Sequence, residues 1–387
     1  MNWWNLFLSV LLIAGHTQLW VAFVNRVHAL PMPHAVLKHV RHLHDVALIS
    51  FPIVLLWCLG VSGPRLLTYG RWSDLSSGWI AVIAVCSLGV AGLVISTLRH
   101  QWRPSPRAVL SERAEVFDIE SQLGRRPVGE GPYRSLATLP WNEQFTLELS
   151  EKRLALPRLP RAWEGLTILH LSDWHLMPTI ERCFFEEVTD YVSAQSADLI
   201  VFTGDLIDDM ACVEWFPHTL GILDAPLGRY FILGNHDWEQ EADVIRECLS
   251  SHGWQSVGSD VRTIEHAGHR MMIAGDETPW LGDRPDIQGA TETDFRLLLA
   301  HTPDHFGWAR RQGVDLMLSG HNHGGQVVLP IFGPVYSPST NGVRYAAGTF
   351  AKEQTVMHVS RGLAGRHPLR WRCRPEVTRL ILERDTA

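Results

Sequence analysis

Three long apolar runs, Trp3–Val24, Val46–Gly63 and Trp79–Leu98, fill the first quarter of the chain. As a helix rising 1.5 Å per residue, the first is about 33 Å long, enough to cross the hydrocarbon layer of a bilayer. It carries Asn5, His16, Thr17 and Gln18 and is less uniformly apolar than the third. Pro52 predicts a kink in the second run, which lipid-embedded helices tolerate. A cleaved leader fits the first run poorly, because it lacks both a positive n-region and a small-residue cleavage site. From Leu166 the pattern changes. Short apolar runs of strand length each end in Asp, Asn or His: "LTILHLSDWH", "DLIVFTGDLID", "YFILGNHD", "RLLLAHTPD" and "DLMLSGHNH". Between them lie amphipathic helical patterns such as Glu181–Ala194 and Glu239–His252. That alternation predicts an α/β domain whose buried strands deliver polar residues from their carboxyl ends to one site. The intervening stretch is rich in Pro, Arg and Gly ("WRPSPR", "GRRPVGEGP") and reads as a connector with one alternating strand, "FTLELS". The expected organisation is a membrane domain over residues 1–98, a linker over 99–160 and an α/β domain over 161–387.

Charge adds an orientation. The first 98 residues hold five Lys or Arg and two acids, all outside the apolar runs. Arg26, Lys38 and Arg41 follow the first run, and Arg99, Arg103 and Arg107 follow the third. The second connection has Arg65 and Arg71, offset by Asp74. Positive residues collect on the cytoplasmic side, so a multi-pass protein of the cell membrane with its large C-terminal part facing the cytoplasm is expected. The first connection is also expected to be an interfacial loop whose histidines, His28, His34, His39, His42 and His44, touch water and headgroups. Only Asp45 accompanies them, so no ligand set with metal spacing appears there. A net charge of −7 argues against a nucleic-acid partner. Six cysteines without a CxxC pair make neither a disulfide framework nor a zinc knuckle.

The chemistry lies in the strand-end residues. Singly, each has a plain explanation: Asp173 and Asp205 could cap helices, and Asn235 could open an Asx-type turn. Five such coincidences in one domain are harder to dismiss. Oxygen donors from Asp173, Asp205 and Asn235, with imidazoles from His175, His301, His321 and His323, are too many for one ion. They fit two divalent ions sharing a carboxylate, about 3.5–4 Å apart and holding a bridging hydroxide for in-line attack on phosphorus. Mixed nitrogen and oxygen ligands without thiolate favour Mn, Fe, Zn or Co.

At these residues the sequence resembles the calcineurin-like metallophosphoesterases, whose signature is D-x-H, G-D-x-x-D, G-N-H-D/E, an isolated His and G-H-x-H. Here these are Asp173-Trp174-His175, Gly204-Asp205 with Asp208, Gly234-Asn235-His236-Asp237, His301 and Gly320-His321-Asn322-His323. The resemblance implies two packed mixed sheets flanked by helices. It also implies that Asp173, His175 and His323 bind one metal, Asn235, His301 and His321 the other, and that Asp205 bridges. His236 would face the scissile phosphate and assist the leaving group, with Asp237 orienting its imidazole.

The tail "VSRGLAGRHPLRWRCRPEVTRLIL" is similar to bacterial membrane-associated phosphodiesterases of this superfamily, some of which hydrolyse UDP-diacylglucosamine. A lipid-linked or nucleotide-linked phosphate ester is the substrate this implies. Two features depart from that branch: Trp174 replaces a smaller aliphatic, and three spans exceed a single anchor. Arg370, Arg372 and Arg374 alternate with Trp371 and Cys373 and would line one face of a strand. With Arg366 they are either a solvated face or contacts for anionic headgroups or a distal phosphate. The competing readings are a non-catalytic scaffold on the same fold and a phosphodiesterase of soluble nucleotides. The intact ligand set with His236 counts against the scaffold.

Overall fold

The computed structural model describes residues 1–288 and 293–385, which divide into two compact units. The first comprises Met1–Arg103 with Leu329–Arg344, the second Pro104–Val328 with Tyr345–Ala387.

The first unit is built on α1 (Trp3–Val27), α2 (His34–Leu55) and α3 (Ser77–Gln101). The helix continues through Pro52 and ends in a π-helical turn over Leu56–Ser62. Three helices, Trp3–Val27, Ala35–Ser62 and Ser77–Gln101, are long and apolar enough to cross a membrane. α1 and α3 meet at two glycines. A Cβ on Gly15 would lie 2.0 Å from the Cys86 carbonyl, and one on Gly89 would lie 2.0 Å from the Gly15 carbonyl. Small residues allow the close backbone approach that drives helix association in lipid, where apolar burial contributes little. Asn5 is buried, donating to the Leu66 carbonyl at 2.6 Å and accepting from Trp72 Nε1 at 2.9 Å. The expected histidine loop is instead mostly helix. His28 caps α1, and α2 already runs from His34, because Val36, Leu37, Val40, Leu43 and Ala47 continue a helical stripe through the histidines. The excursion Leu329–Arg344 also belongs to this unit. Asn25 of α1 donates to the Val335 carbonyl and accepts from the Ser337 N–H, each at 3.1 Å, and Gln101 Nε2 donates to the Ile331 carbonyl at 2.6 Å.

The second unit is a sandwich of two mixed sheets. One contains β1 (Val109–Asp118), β2 (Thr146–Leu156), β3 (Thr167–Leu171), β4 (Leu199–Thr203), β5 (Arg229–Ile232) and β6 (Gln255–Ser256). The other contains β7 (Val261–His266), β8 (His269–Asp276), β9 (Phe295–Ala300) and β10 (Leu316–Ser319). After the ribbon of β11 (Val328–Leu329) and β12 (Gly333–Pro334), β13 (Gly348–Lys352) and β14 (Thr355–Val359) complete the second sheet. The last strand, β15 (Glu376–Arg384), returns to the first. The orders are β1-β2-β15-β3-β4-β5-β6 and β13-β14-β10-β9-β8-β7. β3, β4 and β5 run parallel, as do β8, β9, β10 and β14, so these carboxyl ends share an edge within each sheet.

Alternation along these strands builds three apolar layers. Between the sheets, Ile168, Leu199, Val201 and Ile232 pack with Ile273, Leu297, Leu299 and Leu318. Outside the first sheet, Leu169, Ile200 and Phe202 meet Phe184, Phe185 and Val188 of the helix Arg182–Ser193. Outside the second, Met272, Leu298 and Met317 meet Phe306 and Ala309. Strands covered on both faces read as continuous apolar runs, which is why "LLLA" and "LMLS" are legible as strands.

Two readings of the sequence are corrected here. Beside the strand read from "FTLELS", which is β2, the expected linker contributes β1 to the larger sheet, and the second unit starts at Pro104. β1 is a charged edge strand with no fully buried residue, so it lacks the apolar alternation by which a strand is recognised. Arg370, Arg372 and Arg374 do not share a strand face, since β15 begins only at Glu376. Arg372 has a left-handed backbone (φ 54°), and Arg370 is wholly buried, donating to the carbonyls of Arg361, Ala364 and His323.

Candidate metal centre

The site forms where strands stop. Asp173 and His175 follow β3, Asp205 and Asp208 follow β4, Asn235 and His236 follow β5, His301 follows β9, and His321 and His323 follow β10. None of the first four opens a helix. Asp173, His175, Asp205, His321 and His323 all have positive φ, between 46° and 68°. Non-glycine residues adopt that region at a cost of about 1–3 kcal/mol each and hold it only where surrounding contacts impose it. The chain is bent in this way after β3, β4 and β10, so that these side chains turn inward. Trp174, between two such residues, points the other way and packs on Phe185 and Phe202.

Two groups of potential ligands result, sharing one carboxylate. Atoms of Asp173, His175, Asp205 and His323 lie within 4.8 Å of one another, and so do atoms of Asp205, His301 and His321. Asn235 Oδ1 lies 3.1 Å from His301 Nε2. All seven expected ligand residues are therefore brought together, and Asp205 Oδ2 is 3.6 Å from His175 Nε2 and 3.2 Å from His301 Nε2.

The imidazoles are oriented from behind. His175 Nδ1 lies 3.0 Å from Asp208 Oδ2, His301 Nδ1 lies 2.7 Å from the Thr203 carbonyl, and His323 Nδ1 lies 3.1 Å from the Ala364 carbonyl. In each case Nδ1 donates its proton to the acceptor, and the Nε2 lone pair is left facing the centre. His321 differs: its Nδ1 lies 3.1 Å from His301 Nε2. The His321 N–H donates to Asp173 Oδ1 at 3.0 Å, fixing the aspartate relative to the histidine loop.

Buried atoms without partners mark the space these groups surround. Among the described residues, His175 Nε2 and Asp205 Oδ2 are fully buried with no hydrogen bond. Such atoms are costly unless something polar satisfies them, and their convergence suits a cation. Burial and the neighbouring His175 hold His323 well below the ordinary imidazole value, which leaves its lone pair available. Burial works against Asp205 ionising, yet His301 and His236 keep its carboxyl well below the usual carboxylate range. The donor set, the tautomers and the orphaned atoms all fit divalent metal.

Beside the ligands stands His236, and its partner corrects the sequence reading. His236 Nδ1 lies 2.5 Å from Asp208 Oδ1, not against Asp237. Asp237 is fully buried and accepts four backbone N–H groups, from Asp205 (2.9 Å), Leu206 (2.9 Å), Ile207 (3.1 Å) and Gly234 (2.8 Å). Its carboxylate therefore clamps the β4 loop to the β5 loop and has no lone pair left for an imidazole. Asp208 holds His175 with one oxygen and His236 with the other. Although burial lowers it, the charges of Asp208 and Asp205 raise the His236 imidazolium to about 9. The sequence marked Asp208 as part of G-D-x-x-D but gave it no task.

A second element whose task the sequence did not show is the loop "SRGLAGR". Ala364 N–H donates to the Asp173 carbonyl at 2.9 Å while its own carbonyl receives His323. Arg370, with a fully buried guanidinium, ties the loop together from below. Gly324 follows the last histidine of the G-H-x-H segment. A Cβ there would lie 2.6 Å from Cys373 Sγ and 2.9 Å from Arg361 Cγ, and the residue has φ 64°.

Residues 166–325 match the family model for calcineurin-like phosphoesterases, and the chain belongs to that metal-dependent family of phosphate-ester hydrolases. It is 32% identical to the uncharacterized metallophosphoesterase YkuE of Bacillus subtilis, over 62% of this chain and 87% of YkuE. The phosphodiesterase YaeI of Escherichia coli is 30% identical over 56% of this chain and 81% of its own. The UDP-2,3-diacylglucosamine pyrophosphatase LpxG of Chlamydia muridarum is 26% identical over 61% of this chain and 89% of its own.

Proposed function

We propose that the protein is a membrane-anchored hydrolase of phosphodiester or pyrophosphate bonds that works with two divalent transition-metal ions. The observation that carries this reading is the pair of ligand groups joined through Asp205, with the His236–Asp208 pair at its side. Asp173, His175, Asp205 and His323 would hold one ion, and Asp205, Asn235, His301 and His321 the other. The ions, when bound, supply charge neutralisation for the phosphoryl group and an activated water. The remaining steps belong to the chain. With Nδ1–H fixed on Asp208, His236 presents Nε2–H to the substrate, where it stabilises a phosphoryl oxygen and delivers a proton to the departing oxygen. As the bond between water oxygen and phosphorus forms, the bond to the leaving group breaks. A pyrophosphate diester thus yields two phosphomonoesters.

The three apolar helices and the name of LpxG support a lipid-linked substrate reached at a membrane, and the name of YaeI supports a phosphodiester bond. Positive residues flanking the first and third helices support a cytoplasmic catalytic domain.

Metal analysis of the detergent-purified chain is expected to find about two transition-metal ions per molecule, with turnover of bis-p-nitrophenyl phosphate. An active, folded sample without bound metal would refute the assignment. A parallel screen of UDP-2,3-diacylglucosamine, other lipid pyrophosphates and soluble nucleotides tests the substrate class. Turnover confined to soluble nucleotides would overturn the lipid reading.

A further inference from the structure

Arg366 sits at the rim of the metal centre and has no part in holding it. Its Nη2 lies 3.6 Å from Asp208 Oδ1, the same oxygen that fixes His236, and 2.7 Å from Glu239 Oε2. Both Arg366 and Glu239 keep about a quarter of their side chains exposed (25% and 23%). The backbone that carries Arg366 is held by hydrogen bonds on both sides of it. Gln326 Nε2 donates to the His367 carbonyl at 3.2 Å, Asn142 Nδ2 to the Pro368 carbonyl at 2.6 Å, and Gln144 Nε2 to the Leu363 carbonyl at 2.9 Å. With Arg370 binding the same loop, its shape does not depend on the Arg366 head group.

A part-exposed ion pair such as Arg366–Glu239 contributes little to stability, so holding the fold is a poor account of it. The geometry suits an anion. Guanidinium binds phosphate through a planar fork, and a preorganised backbone lowers the ordering cost of that contact. One carboxylate oxygen separates this guanidinium from the imidazole that, on the proposed function, faces the scissile phosphate. A group bound by Arg366 would therefore adjoin the reacting phosphoryl group.

We propose that Arg366 is the subsite for a second phosphate adjoining the scissile one, with Glu239 as the counter-ion that substrate displaces. This rests on the phosphoesterase reading and makes the protein selective for pyrophosphate-linked diesters over simple phosphodiesters. Glu239 sets a threshold: a single negative charge competes poorly with its carboxylate, whereas a second phosphoryl group replaces it with a two-oxygen contact. Lysine at position 366 keeps the charge and loses the fork.

The test compares wild type, Arg366→Gln, Arg366→Lys and Glu239→Gln on UDP-2,3-diacylglucosamine and on bis-p-nitrophenyl phosphate, with metal content measured for each. The ratio of kcat/KM for the pyrophosphate to that for the simple diester is expected to fall about 30-fold in Arg366→Gln, the loss of one charge-assisted contact. Arg366→Lys should recover part of the ratio, and Glu239→Gln should lower KM for the pyrophosphate. A ratio within about threefold of wild type in Arg366→Gln, less than one such contact is worth, would overturn the proposal. A binding measurement separates this from the parent reading. By calorimetry, the metal-loaded protein should bind the diethyl ester of methylenediphosphonate more tightly than diethyl phosphate, and Arg366→Gln should abolish the difference. If wild type turned over neither substrate, the proposed function would fail. If the two ligands bound wild type equally, the subsite would.

Discussion

Asp208 and Asp237 stand on neighbouring loops, and both are buried carboxylates, yet their substitutions should fail differently. Asp237→Ala leaves four backbone N–H groups unpaired, at about 1–3 kcal/mol each if they stay dry. Loss of the folded domain, read by a collapsed thermal transition and lost metal, is expected. Asp208→Asn keeps the shape but removes the charge that holds the His236 imidazolium. It should retain bound metal while kcat falls on the order of 10²-fold, the scale of a general-acid contribution. His236→Ala should behave likewise, and full turnover in that variant would sink the assigned role. Away from the site, His170 and His358 lie fully buried between the sheets, 5.4 Å apart. Burial lowers His170 to about 3 and His358 well below the ordinary value. The unfolded chain takes up protons below about pH 6.5 that the folded chain refuses, so their contribution is complete above that pH and is lost as the pH falls towards 3. The thermal midpoint should drop between pH 7 and pH 5, and His170→Asn should flatten that slope. An equal slope in the variant would reject the linkage.

Within the elements, glycine packing and edge charge decide what periodicity leaves open. Gly15 and Gly89 permit contact between α1 and α3 at a distance that excludes a side chain. Gly89→Leu should separate these helices, seen as loss of crosslinking between single cysteines placed on them, while turnover of bis-p-nitrophenyl phosphate persists. The long strand-end signals were legible because ligands recur after apolar runs of fixed length. β1 was hidden, since its exposed, charged residues read as linker. The helical start of α2 was hidden by histidines that looked like loop chemistry. Arg370 was misread because alternation in sequence resembles a strand even where the chain serves only to present carbonyls to a buried guanidinium.

For the whole molecule, the proposed metal centre ties metal binding to the fold. Seven candidate ligand side chains face one another in a buried site, five of them on strained backbone. Bound metal should raise the thermal midpoint by mass action, and chelation should lower it reversibly. No change on chelation would contradict the metal reading. A C-terminal reporter tests orientation, with cytoplasmic signal expected. The sequence alone determined the α/β alternation, the three apolar helices and the seven strand-end residues that gather at the candidate site, because each is written in local periodicity or in a short motif. Tertiary structure decided the rest: which carboxylate serves His236, which histidine nitrogen faces the centre, that 329–344 returns to the helical unit, and that Arg366 stands at the rim. Those facts depend on residues tens to hundreds of positions apart becoming neighbours, and no local pattern records which partner a buried donor will find.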